Sequence, residues 1–166
     1  MSANDRVLLT LCTPWMVAIP IQAVVRVLTA ADLGVRPAAG DGALLGTVAD
    51  RSVVHAAWDL ARLLGLRAHD HQAWVLLNLS PPIAIRTGPC LSVVAEPAAC
   101  PLPAMLTLRT LGLGCFVRPV LPVPDALQAG LAPIGLRVEP TRLFSAADLA
   151  ASRQAIHAAG QTVGSA

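Results

Sequence analysis

The sequence predicts a mostly β protein made of two related modules in tandem, followed by a helix after residue 145. Three observations carry that prediction. Short runs rich in Val, Leu and Ile recur between residues 7 and 138, punctuated by Pro, Gly, Asn, Asp and Ser. A hairpin-like pattern near the start returns near residue 75. Beyond residue 145 the pattern changes to an Ala-rich stretch that opens with a helix-start signature.

The elements follow in order. Residues 7–12 and 15–20 are two extended runs joined at Thr13-Pro14, which reads as a β-hairpin. Residues 23–28 (AVVRVL) form a third strand. Residues 34–42 are rich in Gly, Pro and Ala and read as a loop. Residues 44–57 read as strand, turn at Asp50-Arg51-Ser52, and strand. Residues 59–64 are a short helical turn with Gly65 placed to cap it. The pattern then restarts with strands at 73–79 and 83–86 around Ser80-Pro81-Pro82, and a strand at 90–95. Residues 97–103 read as a proline-rich loop, and 114–121 and 136–138 as the last strands. Ser145-Ala-Ala-Asp148 begins a helix over about 146–158, with Leu149 and Ile156 on one side, and 160–166 is expected to fray.

Two internal echoes support a repeat. LLTLCTPWMVAIP (8–20) resembles VLLNLSPPIAIR (75–86), and Asp59-x-x-Arg62-Leu63-Leu64 resembles Glu139-x-x-Arg142-Leu143-Phe144. Both occur in the same order, so each module ends in a short acidic-x-x-Arg-Leu turn.

Composition narrows the function classes. The chain has 166 residues, 55% hydrophobic and 13% charged, with a formal charge of +2. That is too apolar for disorder. All the basic residues are Arg, scattered and not interleaved with aromatics, so no nucleic-acid partner is expected. Residues 7–25 carry no charge apart from their Arg6 flank. Pro14, Pro20, Thr10, Thr13 and Gln22 break or dilute that run, and a similar pattern recurs near residue 75. Membrane insertion is therefore not expected. Cys12, Cys90, Cys100 and Cys115 match no zinc spacing and read as small buried hydrophobes, although Cys90 and Cys100 are bridgeable in an oxidising compartment. No G-x-S-x-G elbow, P-loop or G-x-G-x-x-G occurs.

The residues resemble one family in particular. Ala18-Ile-Pro-Ile-Gln-Ala-Val-Val-Arg-Val27 is similar to the early strand pair of CheW-like chemotaxis coupling proteins. Leu45-Gly46, Arg51-Ser52, and Asp59-Leu60-x-x-Leu63-Leu64-Gly65 follow the family pattern L-G-x-x-x-x-R-G, strand, D-L-x-x-L-L-G with matching spacing from Gly46 to Gly65. Residues 136–144 resemble the family's closing strand and short helix. The chain departs from the pattern at Ser52 (Gly), Ala56 (Pro) and Arg26 (an acidic residue), and near Arg86, where an Asp is common.

The resemblance implies a CheW-like fold of two small five-stranded β-barrels packed together, with short helices and the C-terminal helix. It implies one domain over 1–148, with subdomains at about 6–66 and 72–144 whose termini can exchange, then a helix and tail at 145–166. It further implies a cytoplasmic, non-catalytic adaptor that links a chemoreceptor's cytoplasmic tip to a histidine kinase regulatory domain, without cofactor or metal. The candidate protein-binding residues are Val24, Arg26, Arg51, Val53 and Asp59. A guanidinium such as that of Arg51 can grip a partner's carboxylate or carbonyls, or pair internally with Asp50 or Asp59.

Asp59 and Glu139 also read as helix-start acids. His69-Asp70-His71 could offer two metal ligands, but it has no third ligand close in sequence and reads as a solvated loop. His55 reads as a packed, hydrogen-bonded strand residue. Trp15, Trp58 and Trp74 read as core, and the high apolar content suggests an exposed patch for a partner. Two other classes remain open at this point. One is a ligand- or metal-sensing β-barrel module with a closed apolar cavity. The other is a thiol enzyme with a low-pKa Cys near a His.

Overall fold

The computed structural model describes residues 6–38, 42–66, 71–100, 113–119 and 130–163. The first run of the chain forms a hairpin because its flanking segments are extended and Pro14 ends the ladder between them. β1 (Arg6–Cys12) pairs antiparallel with β2 (Trp15–Pro20), from Val7 opposite Pro20 to Cys12 opposite Trp15. A single 3-10 turn at Ile21–Ala23 leads into β3 (Val24–Thr29). Another at Ala30–Asp32 leads to β4 (Val35–Pro37). β5 (Leu44–Asp50), β6 (Val53–Asp59) and α1 (Leu60–Leu63) complete the first series. The second runs β7 (Ala73–Leu77), β8 (Ile83–Thr87), β9 (Cys90–Ala95), β10 (Ala99–Cys100), β11 (Leu113–Val117), β12 (Ile134–Val138) and α2 (Pro140–Leu143). α3 (Ala146–Val163) follows.

The strands form two six-stranded sheets, in the orders β4-β5-β6-β8-β7-β3 and β10-β11-β12-β2-β1-β9. Written this way the two orders match position by position, six elements apart in the chain. In each, the central pairing is parallel: β6 with β8, and β12 with β2. The sequence echo at 8–20 and 75–86 is thus a pair of equivalent hairpins, and each lies in the sheet built by the other series. Neither sheet is a continuous segment 6–66 or 72–144. Where five-stranded barrels were expected, each sheet has six strands, and no backbone pairing joins its edges among the described residues. The extra strands are β4 and β10, of three and two residues, inside stretches that read as loops. They are too short, and too rich in Pro neighbours, to show a period of their own.

Burial explains why the central strands are apolar throughout rather than alternating. Leu8, Val17 and Ile19 of one sheet meet Trp58, Val75, Leu77, Ile83 and Ile85 of the other in a shared core. On the opposite faces, Val7, Leu9, Leu11, Met16 and Phe116 fill the second sheet, and Val48, Ala57, Trp74, Leu76 and Ala84 fill the first. Strands buried on both faces read as continuous hydrophobic runs. Polar atoms stitch the junction: the Thr10 and Thr87 hydroxyl oxygens lie 3.0 Å apart, and Thr87 donates to the Leu11 carbonyl at 3.1 Å.

The C-terminal helix begins as the sequence predicts. Ser145 and Asp148 form a reciprocal cap, with Ser145 N donating to Asp148 Oδ2 at 2.9 Å and Asp148 N to Ser145 Oγ at 3.2 Å. The helix runs further than 158, to Val163, because Gly160 does not end it. Leu149 and Ile156 pack on the shared core. Trp58 Nε1 donates to the buried Ser152 hydroxyl at 3.0 Å, and Ser152 donates to Asp148 O at 2.8 Å. Trp58 also meets Phe144 edge-on at 5.5 Å between ring centroids. No helix among the described residues is long and apolar enough to cross a membrane, and the uncharged run 7–25 is mostly the buried hairpin.

Candidate protein-binding surface

β3 is an edge strand, bonded to β7 on one side only. Its residues alternate half-buried and exposed. A register shift between Val24 and Arg26 puts Val24 against the shared core and Leu28 against the first sheet's own core, and Val25 and Val27 are 64% and 39% exposed. A bulge between Val24 and Arg26, and the charge of Arg26 itself, blunt this open edge, and two exposed valines remain beside them.

The β5–β6 turn comes to the same region. Arg26 Nη1 donates to both Asp50 carboxylate oxygens, at 3.0 and 3.2 Å. This contact joins the edge strand β3 to the far end of β5, so the sheet curls until its side chains, not its backbone, meet. The pair is substantially exposed on the Arg26 side, and such pairs contribute at most about 1 kcal/mol. Its importance is placement. It also accounts for one departure from the family pattern, since the cation at Arg26 has a carboxylate waiting for it at Asp50.

With Asp50 engaged by Arg26, Arg51 has no ion pair among the described residues. Neither of its anticipated internal partners takes it, because Asp59 is engaged elsewhere. Arg51 is exposed, at the first of two turn positions between Asp50 and Val53, with φ of 55°. A positive φ there is the habit of glycine in a tight hairpin turn. Val53 beside it is 45% exposed. The structure therefore brings Arg26 to Asp50, next to the turn that carries Arg51 and leads into Val53, while Val25 and Val27 are exposed on the same edge strand as Arg26. Val24 packs inward on the shared core. The sequence does not mark Val25 rather than Val24 as outward, because every β3 position but Arg26 and Thr29 is aliphatic.

Asp59 lies elsewhere. It is wholly buried and so acts from inside the fold. Oδ1 accepts from Arg62 N at 3.1 Å, capping α1, and Oδ2 lies 3.2 Å from Arg86 Nη2 and 3.1 Å from His71 Nε2. Its reading as a helix-start acid holds, and the arginine at position 86 is its counter-ion. Glu139 is the equivalent N-cap position of α2 without a side-chain cap bond, and it faces Arg137 Nη1 at 3.6 Å. His69 and Asp70 lie outside the described residues, so the triplet they form with His71 does too.

His55 is buried as expected, but its Nδ1 has no hydrogen-bond partner. Burial holds its pKa below the ordinary value, against the opposing pull of Asp50. Below about pH 6.5 the unfolded chain therefore takes a proton at this site that the folded chain refuses. Stability is present above that pH and falls as the pH drops below it. The His55→Gln variant is expected to lose less stability than the parent between pH 7 and 5 in urea titrations. The difference in slope should be at most about 1.4 kcal/mol per pH unit.

The surroundings of Cys12, Cys90 and Cys115 favour the neutral thiol. Burial, then Asp59, pushes Cys12 up to about 12. Burial raises Cys90, and burial, then Cys100, pushes Cys115 up to about 11. Among the described residues no cluster of three or more His, Cys, Asp or Glu could hold a metal.

Two matched sheets that exchange hairpins, each series closing in a short helical turn with an acidic residue at its N-cap position, make this a β-rich fold of the CheW type, as the sequence resemblance anticipates. The crystal structure of the scaffolding protein TtCheW from Thermoanaerobacter tengcongensis matches this chain with a TM-score of 0.65. The match covers 87% of this chain and 95% of that one, at 13% identity. No protein-family model matches the sequence, and no curated protein matches it. At that identity the likeness is one of fold.

Proposed function

We propose that this chain is a non-catalytic adaptor of a chemotaxis-type signalling system, joining a chemoreceptor's cytoplasmic tip to a histidine kinase regulatory domain in the cytoplasm. The observation that carries the reading is Arg51: an exposed cation without an ion pair among the described residues, held at positive φ in the turn that leads to the exposed Val53. A strained residue that its own fold does not use points to a use outside the fold. In this reading Arg51, Val53, Val25 and Val27 receive a receptor helix, with the valines as its apolar seat. A sheet edge meets the kinase domain. The scaffold role of the structurally similar TtCheW supports the same reading. No cofactor or metal enters it.

The test is binding of the purified chain to a receptor-tip fragment and to a kinase regulatory domain from its own organism. Arg51→Glu is expected to weaken receptor binding at least tenfold, about 1.4 kcal/mol. Arg51→Gly should also weaken it, while raising unfolding stability by about 1 kcal/mol as turn strain is relieved. Unchanged receptor binding by both variants would remove Arg51 from the interface, and no binding by the folded parent would sink the coupling role.

One observation favours a second reading, a ligand-sensing module. A cavity of about 520 Å³ lies between α3 and β4–β5, lined by Arg36, Pro37, Leu44, Thr47, Ala155 and Ala158 among others. It is open, not the closed cavity that reading anticipates. A folded chain that binds neither signalling fragment yet is stabilised by a small amphipathic ligand would select it.

A further inference from the structure

Cys100 and Cys115 stand directly opposite each other in the antiparallel pair β10–β11. Their sulfurs are 3.0 Å apart, and Cys115 Sγ also donates to the Cys100 carbonyl oxygen at 2.9 Å. Opposed residues of an antiparallel pair have Cα atoms about 4.5–5.5 Å apart, inside the roughly 4.4–6.8 Å window that a disulfide spans. β10 is the outermost strand of its sheet and is held by two residue pairs, Ala99 with Phe116 and Cys100 with Cys115. Cys115 is buried at 1% exposure, whereas Cys100 is partly exposed. In the sequence Cys90 and Cys100 read only as bridgeable, and all four cysteines as small buried hydrophobes. The fold instead pairs Cys90 with Thr10 across β9–β1, in a different part of the sheet.

We infer that Cys100 and Cys115 form a reversible redox site, in which a two-electron oxidant of the peroxide class joins them in a disulfide that fixes the edge strand β10. The partly exposed Cys100 thiolate attacks the peroxide, takes one oxygen as a sulfenic acid and releases hydroxide. The Cys115 sulfur then attacks the Cys100 sulfur. The S–S bond forms, the S–O bond breaks, and the departing hydroxide and the two thiol protons end as water. The sum is two thiols and one peroxide giving one disulfide and two waters. The second step needs no diffusion, since the two sulfurs are already in contact.

The test uses the full chain. Folded protein is treated with hydrogen peroxide, quenched and unfolded, and its remaining thiols are alkylated and counted by mass spectrometry. The four thiols of the chain are expected to fall to two, and dithiothreitol is expected to restore them. Cys90 and Cys100 share one tryptic peptide, bounded by Arg86 and Arg109. Cys90→Ser is therefore run beside Cys100→Ser, with circular dichroism confirming that both fold. The first is expected to keep the bond to the Cys115 peptide and the second to lose it. Four surviving thiols, a bond from Cys100 to Cys90 or to a second molecule, or oxidation of Cys100 beyond sulfenic acid without a bond would each overturn the proposal.

Discussion

Asp59→Ala is expected to cost about 3–5 kcal/mol of unfolding free energy, the largest single loss from a charged position among the described residues. The carboxylate is fully buried and serves three groups at once: the α1 backbone at Arg62 N, the Arg86 guanidinium and the His71 ring. Removing it strips the cap, worth about 1 kcal/mol. It also leaves a guanidinium whose Nε is already buried without a hydrogen-bond partner. The second effect dominates, because an uncompensated partly buried cation has lost its only carboxylate among the described residues. Urea unfolding measures the loss, and a double variant tests its origin. Asp59→Leu with Arg86→Met should recover much of it, since the orphaned charge is gone. Equal losses in the single and double variants would assign the cost to the cap and to packing. Asp59→Ala with normal stability but lost partner binding would restore Asp59 as a contact residue.

Gly46→Ala should be comparably severe, about 3 kcal/mol or more, from overpacking and backbone strain together. Gly46 sits at a register shift in the β5–β6 ladder and opposite Pro37 of β4. Its φ is 137°, and a Cβ there would lie 2.0 Å from the Arg36 carbonyl oxygen and 2.7 Å from Ala38 N. Both obstacles are backbone, so no side chain can swing aside. The three-residue β4 must leave, and with it Arg36, whose Nη1 donates to the Ala159 carbonyl of α3 at 3.2 Å. The expected result is a lower melting temperature together with faster amide exchange at residues 35–37 and loosened packing of α3. A melting temperature within a degree or two of the parent's would mean that β4 contributes little to the fold.

These two positions show what the sequence discloses and what it hides. Gly46 and Asp59 stand out by their spacing, but the reason each residue type is needed is a contact with a neighbouring strand, β4 for Gly46 and β8 for Asp59. Proline turns, the Ser145–Asp148 cap and the acidic-x-x-Arg-Leu turns are local devices, and they read correctly. β4 and β10 do not, because a strand of two or three residues owes its existence to its neighbour's ladder rather than to its own pattern. The sheet membership of the hairpins is also invisible, since strands apolar on both faces carry no mark of which sheet they join. Within the candidate surface, Arg51 was legible from its place in a turn. Val25, Val27 and the Arg26–Asp50 pair required the curl of the sheet. Arg86 could have been found as the counter-ion of Asp59, had the parallel alignment of β6 with β8 been guessed.

The hairpin exchange also has a consequence for how the chain is made. The β1–β2 hairpin is synthesised first, yet the strand that flanks β1 is β9, with Leu9 opposite Ser92, and the strand that flanks β2 is β12, with Val17 opposite Leu136. At roughly 5–20 residues per second of translation, the hairpin waits several seconds for the first of these and longer for the second. Throughout that interval it has two apolar faces and two open edges. The sheet of β3 to β8 can close once Thr87 is made, but the hairpin's own sheet stays open until β9 to β12 follow, so the hairpin is the adhesive part of the nascent chain.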